Sequence, residues 1–229
     1  RNKAVLSRVG ARMLTGLVGN VSIPKQTGAT TAYWVAESGT ITASDAVFGS
    51  VTMSPKTVGA AQLMSRRLLL QSDPSVEALM LGDLAAVVAL AIDYAGLAGT
   101  GASNQPTGVI NQSGVGSVNG TTLGWDAVVE FETDVAEANA DLSNLAYVCR
   151  PSVRGILKTR EKASNTAQFL MSGGEMNGYP VDVSTQSPAA HLLYGAWNQL
   201  IIGMWGGLDV LVDPYTNASD GGLYVWTYQ

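Results

Sequence analysis

The longest helical pattern in the sequence runs from Asp73 to Ala98. Apolar residues recur there at spacings of three and four, which is typical of a helix with one apolar face. Asp73 is a favourable N-cap, Pro74 suits the first helical position, and Gly99 is a typical stop signal. About 22 helical residues span roughly 33 Å, long enough to organise a domain. The predicted apolar face consists of Leu79, Met80, Leu84, Val87, Val88, Ala91 and Ala95.

A membrane span is the main alternative for this segment. Asp83 and Asp93 interrupt it, and the uncharged run between them is too short to cross a bilayer. We therefore predict a helix of a folded domain and no contact with a membrane.

The chain before this helix has little material for a core of its own. Residues 1–28 are punctuated by Gly16, Gly19 and Pro24, which favours an extended arm lying on another surface, in the same chain or a neighbouring one. Residues 30–37 and 46–54 are rich in strand-forming side chains and predict a long hairpin. Because an isolated two-stranded hairpin is marginally stable, we expect it to find support elsewhere.

After the long helix, the sequence predicts a mixed domain. Glycine, asparagine and proline punctuate residues 99–122, which indicates a loop. Helices and strands then follow without a regular βαβ repeat, so the predicted fold class is α+β. The predicted helices are Trp125–Asn139 and Pro151–Lys162, and the predicted strands are Leu145–Cys149, Val181–Val183, Leu200–Trp205, Leu208–Val212 and 223–229.

Composition and charge narrow the function classes. Charged residues make up 14% of the 229 residues, against about 25% in typical soluble domains, which favours surface hidden against partners. A net charge of −5 argues against a nucleic-acid binder held by phosphate contacts. The single cysteine, Cys149, allows no disulfide within the chain. Four basic residues on one predicted helix favour a solvated face, namely Arg154, Lys158, Arg160 and Lys162.

No catalytic, cofactor-binding or metal-binding residues are predicted. His191 is the only histidine, and no nucleophile-elbow motif accompanies it, so a surface or packing role is favoured over catalysis. One histidine and one cysteine do not make a conventional zinc site. Asp213, Asn217 and Asp220 lack the spacing of a calcium loop. This pattern favours a structural or binding role.

The order of motifs resembles that of one protein family. The chain is similar to the major capsid proteins of tailed bacteriophages, encoded by phages or prophages, with the Hong Kong 97-type fold. The similarity covers essentially the whole chain and depends on the combination rather than on any single motif. It rests on IPKQTG, Trp34–Glu37, Ser44, Phe48, Val51–Met53, Pro55-Lys56, Met64–Arg66, Leu70–Ser72, the GTG and QPTGVI motifs between Gly99 and Ile110, and MNGYPVDVS at 176–184.

The resemblance implies a division into four regions. Residues 1–28 correspond to an N-terminal arm, and 29–57 to the E-loop, a hairpin that reaches over an adjacent subunit. The peripheral domain comprises 58–122 and 206–229, with its spine helix at 74–97, and the axial domain comprises 123–205. The family also leads us to expect a scaffolding segment before the arm in some members and further final strands beyond Gln229.

The resemblance also implies a function and a set of partners. Family members assemble through pentamers and hexamers into an icosahedral head that encloses packaged double-stranded DNA without sequence-specific binding. Assembly takes place in the bacterial cytoplasm, and the product is the virion capsid. Portal, scaffold, maturation protease and cement proteins are candidate partners. We predict intersubunit contacts at Trp34, Glu37, Phe48, Arg66 and Arg67, with plain surface charge as the alternative for the two arginines.

Two further expectations complete the sequence-based account. Some family members link an E-loop lysine covalently to an asparagine, but residues 30–54 contain no lysine, so we predict no such crosslink. The alternative functions are an encapsulin-like bacterial compartment, which shares the fold but encloses protein, and, remotely, a hydrolase that uses His191.

Overall fold

The computed structural model describes residues 4–65, 67, 75–140, 144–217, 219 and 221–229. Within these residues the chain forms three α-helices, which are α1 (Ser75–Ala98), α2 (Trp125–Glu137) and α3 (Pro151–Thr159). Helices and strands are mixed without a βαβ repeat, as predicted for an α+β fold. The strands are β1 (Arg12–Leu14), β2 (Val21–Gly28), β3 (Val47–Met53), β4 (Gly59–Ser65), β5 (Leu145–Cys149), β6 (Glu175–Met176), β7 (Tyr179–Val183), β8 (Leu192–Ala196), β9 (Ile201–Gly203), β10 (Asp209–Asp213) and β11 (Gly222–Tyr228).

Helix α1 is the predicted long helix, but its predicted apolar face is wrong at two of its seven residues. Its 24 residues span about 36 Å. Leu84 is buried, whereas Leu79 and Val87, which periodicity placed on the same face, are 63% and 48% exposed. The helix is apolar nearly all round, so its tertiary neighbours decide which side is covered. The predicted cap residues Asp73 and Pro74 lie outside the described residues.

Helix α1 is also long enough and apolar enough to cross a membrane. The segment Ala78–Ala98 has a mean hydropathy of 1.8, and 17% of its most apolar stretch is buried within the chain. Asp93 lies on the buried side of the helix at 2% exposure, where it bonds to the protein backbone. The prediction of a domain helix without membrane contact therefore rests on the protein partners of α1.

The start of the predicted arm packs within its own chain. The backbone N–H of Val5 donates to both carboxylate oxygens of Asp93, at 2.9 and 3.0 Å, and the N–H of Leu6 donates to Oδ1 at 2.9 Å. These are N–H groups that the following helical turn leaves unpaired, so Asp93 caps that turn from 88 residues away. The surrounding core joins the arm to α1 and β5 through Val5, Leu6, Val9, Leu97, Ala146, Val148 and Trp197.

Strands β2 and β3 form the long antiparallel hairpin, with Val21 opposite Met53 and Gln26 opposite Phe48. The strand predicted over 30–37 is wrong, because the structure gives these residues no ladder of strand hydrogen bonds. The first strand of the hairpin is instead β2, which lies inside the predicted arm. This strand accommodates Pro24 because a two-stranded ribbon leaves one edge of each strand without a ladder partner. The boundary between arm and E-loop stays a prediction.

A three-stranded antiparallel sheet in the order β10-β11-β4 packs on α1. Its register sets Val225 opposite Gln62, and its inner side contributes Met64 and Val225 to a cluster with Leu84. The last strand of the chain thus pairs with a strand that precedes α1, as expected for a peripheral domain built from two separated segments. The domain limits themselves stay predictions.

The loop after α1 closes the C-terminal end of that helix. The side-chain amide of Asn111 donates to the carbonyls of Ala98 and Gly99, at 3.3 and 2.8 Å, which satisfies acceptors that the helix leaves unpaired. The N–H of Gly108 donates to the Gly99 carbonyl at 2.8 Å. A methyl group at Gly108 would overlap the backbone of Leu97 and Gly99, so the QPTGVI motif requires glycine there.

The second large sheet has the order β6-β7-β5-β8, with β5 parallel to β7 and antiparallel to β8. All five residues of β5 are buried, and alternate side chains serve different clusters. Tyr147 and Cys149 face a core that also contains Val128 of α2 and Leu157 of α3. On the other face, β5 meets the arm and the end of α1. Strand β8 was not predicted from the sequence.

Burial at Cys149 leads to a test of this core. The thiol is fully buried, and this burial raises its pKa from 9.0 to about 11. At about pH 8 a disulfide reagent should leave the folded chain unlabelled and modify one thiol per chain after unfolding in urea. Because the folded-state pKa is raised, the associated stability is complete below about pH 9 and is lost as the pH rises through about 11. Rapid labelling without urea would contradict the burial of β5.

Candidate intersubunit surface

The hairpin carries three of the predicted contact residues into solvent. Trp34 is 105% exposed, Phe48 is 70% exposed and Glu37 is also exposed. Between the two strands, residues 29–46 form an extended tip. Across this tip, the backbone N–H of Thr31 donates a hydrogen bond to the Ser44 hydroxyl at 2.8 Å. The other side chains of the tip therefore do not bury Trp34.

Further apolar side chains surround these contacts. A fully exposed tryptophan among several other apolar side chains forms a patch of the kind that marks interaction surfaces in soluble proteins. Burying such side chains gains about 25 cal/mol per Å² of apolar area. The hairpin surface, as we call this patch, adds Tyr33, Val35, Ile41, Val47 and Val51 to Trp34 and Phe48, each between 45% and 105% exposed.

The two predicted arginine contacts have different outcomes. Arg66 lies outside the described residues, and Arg67 is exposed. Arg67 follows strand β4 and therefore belongs to a different part of the chain from the hairpin surface. A role for Arg67 between subunits stays a prediction.

Two further apolar surfaces were not predicted from the sequence. Strand β10 is an edge strand of its sheet, and Val210, Leu211 and Val212 are 48–57% exposed. The sequence had predicted a strand here but not its place at an edge. Such an edge presents unpaired backbone groups to another chain. The outer side of α1 likewise exposes Leu79, Leu81, Val87 and Tyr94.

Three tyrosines with raised pKa values pack in or against one core cluster. Burial raises the pKa of Tyr147 and Tyr194, and the hydrogen bond from the Tyr179 hydroxyl to Glu132, 2.8 Å long, raises the pKa of Tyr179. All three therefore stay protonated at neutral pH. His191 is exposed on a turn, with Nδ1 2.7 Å from the Ala189 carbonyl.

Asp213 closes a local turn near the C-terminus, whereas Asp220 lies outside the described residues. Asp213 accepts hydrogen bonds from the backbone N–H groups of Tyr215 and Thr216 and from the Thr216 hydroxyl. These bonds lower the pKa of the Asp213 carboxyl. Its oxygens are thus occupied by a turn, and no group of three or more metal-ligating side chains occurs among the described residues.

Comparison with known proteins identifies the family. The model of the phage capsid family matches residues 1–229. The chain belongs to the phage capsid family. It is 37% identical over 230 residues to the major capsid protein of Halomonas phage phiHAP-1, covering 100% of this chain and 38% of that protein. It is 23% identical over 234 residues to the major capsid protein of Klebsiella oxytoca phage phiKO2, covering 92% of this chain and 53% of the relative. The chain thus spans about two fifths to one half of these capsid proteins.

Solved capsid structures share the fold. The capsid of a native GTA particle has a TM-score of 0.79 at 19% identity, covering 100% of this chain and 84% of the other. The Microbacterium phage Oxtober96 structure has a TM-score of 0.79 at 17% identity, covering 100% and 83%. These similarities confirm the α+β, Hong Kong 97-type capsid fold that the resemblance implied.

Proposed function

We propose that this chain is the shell-forming part of a phage or prophage major capsid protein. It self-assembles through pentamers and hexamers into an icosahedral head. The observation that carries the proposal is the hairpin surface, with Trp34 and Phe48 held in solvent by a two-stranded ribbon. In a chain of the capsid family, the simplest means of covering this surface is another copy of the chain.

The distribution of the exposed surfaces supports closed assembly. The hairpin surface, the outer side of α1 and the β10 edge are three different regions of one subunit. Contacts between unlike regions are head-to-tail, and such contacts form rings when the rotation closes. Five-fold symmetry, with which the GTA capsid was computed, is consistent with the pentamers proposed here.

We further propose that the shell encloses double-stranded DNA without reading its sequence. The acidic balance of the chain supports a container, because phosphate neutralisation by basic side chains is what drives DNA binding. The test is nuclease treatment of particles purified from the host. Protected double-stranded DNA is the expected content, whereas a protein cargo without DNA would favour the encapsulin-like compartment.

The remaining partners follow from the same proposal. Portal, scaffold, maturation protease and cement proteins would act on the shell, which assembles in the host cytoplasm without membrane contact. The subunit itself has a structural rather than an enzymatic role. The placement of His191 on an exposed turn supports this, because a general base must lie within hydrogen-bond reach of a nucleophile.

We expect the shell to be held by non-covalent contacts. The hairpin tip at 29–46 contains no lysine. Lys25 on β2 and Lys56 after β3 lie outside the range 30–54 that was considered from the sequence alone. Mid-strand placement keeps Lys25 several residues from the tip. Purified particles boiled in detergent should run as monomers on a denaturing gel. A ladder of covalent oligomers would contradict this expectation, and the variant Lys25→Arg would show whether that residue forms the link.

A further inference from the structure

Helix α2 presents a row of carboxylates to solvent, which we call the acidic face. Asp126, Glu130 and Asp134 are spaced four residues apart, Glu137 follows three residues later, and all four are exposed. Like charges at these spacings repel each other along a helix. The helix contains no lysine or arginine that would relieve this repulsion. The acidic face therefore favours a basic partner from outside the helix.

Helix α3 carries the opposite pattern along one edge, which we call the basic edge. Arg150 is the N-cap of α3, and Arg154 and Lys158 follow it at intervals of four residues. The Arg150 guanidinium donates to the Thr185 carbonyl at 3.0 Å, which fixes the start of this edge. The three cations repel one another as the carboxylates of α2 do.

The other two basic residues of the predicted solvated face are engaged within the chain. Arg160 donates from Nη1 to the Leu123 carbonyl at 3.2 Å. The Lys162 ammonium lies 3.8 Å from the centroid of the Trp125 ring, in a cation–π contact. The prediction of a single solvated basic face is thus wrong for this pair, and the basic edge consists of Arg150, Arg154 and Lys158.

The acidic face and the basic edge belong to one domain but do not pair within it. Arg8 and Asp182 form an ion pair within the chain at 3.3 Å, and neither charged row contributes to it. Val128 of α2 and Leu157 of α3 are buried in the same core cluster. Because both helices pack on this core, the acidic face and the basic edge keep a fixed direction relative to each other. A contact that is repeated between copies requires such a fixed direction.

We propose that the acidic face of α2 on one subunit docks against the basic edge of α3 on the next subunit of a ring. The inference rests on the proposed function, since it specifies a contact within the pentamers and hexamers. The two rows are opposite in sign and lie at different positions on the subunit, so each subunit can offer one row to each of two neighbours. Such head-to-tail contacts form a ring when the rotation between subunits closes. Complementary charge sets the orientation and the partner more than the affinity.

The experiment uses the full-length protein in four forms. These are the wild type, an acidic-face reversal (Glu130→Lys, Asp134→Lys and Glu137→Lys), a basic-edge reversal (Arg154→Glu with Lys158→Glu), and a chain with both reversals. Sedimentation velocity and negative-stain electron microscopy measure rings and shells, and circular dichroism checks folding. Should the basic-edge reversal misfold, the exposed Lys158→Glu alone replaces it. Glu175→Lys, an exposed carboxylate outside both helices, is the matched control.

Each reversal alone should lower ring formation at least about tenfold, because it sets like charges opposite each other. The chain with both reversals should regain wild-type assembly. An equimolar mixture of the two single reversals should form hexamers but not pentamers, because complementary contacts then require alternating subunits and only an even ring closes. Added salt should weaken wild-type rings, since the Debye length falls to about 3 Å at 1 M.

The outcomes separate this inference from the proposed function. If the wild type and both reversals assemble alike, the docking contact is wrong and the capsid function stands. If the basic-edge reversal leaves rings intact but lowers the DNA content of particles, that edge faces DNA and the docking contact is again wrong. A wild type that forms no rings under any condition would overturn both.

Discussion

Replacing Trp34 with alanine should prevent shell assembly while leaving the fold of the subunit intact. Trp34 is 105% exposed, so truncating it removes no contact that stabilises the isolated chain. The free energy of unfolding should therefore change by less than about 0.5 kcal/mol, as for surface substitutions generally. In the shell the same side chain is the largest apolar group of the hairpin surface.

The effect on assembly follows from the size of interface anchors. Truncation of a central tryptophan in an interface typically costs about 2–4 kcal/mol. At about 1.4 kcal/mol per tenfold change, the lower figure raises the subunit concentration needed for assembly about 30-fold. Light scattering across a concentration series of the full-length protein measures this threshold, and urea unfolding of the subunit measures its stability.

A second exposed ring serves as the control. His191→Ala removes an exposed side chain outside the hairpin surface and should leave the assembly threshold unchanged. This control also tests the remote hydrolase alternative, since any activity that depends on His191 would be lost with assembly retained. An unchanged threshold for Trp34→Ala would mean that the hairpin surface is not an intersubunit contact.

Replacing Asp93 with alanine should destabilise the subunit itself. The carboxylate accepts hydrogen bonds from the N–H groups of Val5 and Leu6, and all three residues are at most 2% exposed. Alanine leaves two buried donors without a partner. At about 1.5–3 kcal/mol for each bond to a charged group, the loss is about 3–6 kcal/mol. Urea unfolding of the unassembled chain measures it.

Asparagine at the same position separates hydrogen bonding from burial. Asp93→Asn keeps Oδ1, the atom that accepts from both Val5 and Leu6, and should cost less than half as much as Asp93→Ala. The alanine variant should also become susceptible to proteolysis within residues 4–11, because the arm loses its cap. Equal stability of the alanine variant and the wild type would show that Asp93 does not anchor the arm.

The elements that could be predicted from the sequence are those fixed by local pattern. Helix α1 was predicted because its length and helix-forming residues suffice without tertiary contacts. Helix α2 has a clear apolar stripe, and β5 is a short apolar run that is fully buried. In each of these elements, the residues that form the element also produce the sequence pattern that predicts it.

The errors arise where distant partners decide the structure. Residues 30–37 are rich in strand formers but lie at the tip, where no strand faces them, whereas Val21–Gly28 forms a strand despite Pro24 because β3 lies beside it. Asp93 was interpreted as an interruption of a membrane-like segment, although its partners are 87 and 88 residues away. Local sequence carries no information about such partners.

The candidate contact surfaces also include some residues that could be predicted from the sequence and others that could not. Trp34 and Phe48 could be found because large apolar residues on a thin hairpin have nowhere to pack within it. The β10 edge was missed, because a run such as Val210–Val212 has the same pattern whether its strand is buried or lies at an edge. Only the strand order, β10-β11-β4, distinguishes the two cases.

The most direct measurement is negative-stain electron microscopy of the full-length protein expressed alone, with light scattering on the same sample. The account predicts closed shells of uniform size, or free pentamers and hexamers, because the apolar surfaces of each subunit require other copies to cover them. A full-length protein that remains monomeric as its concentration is raised would contradict self-assembly as the function of this chain.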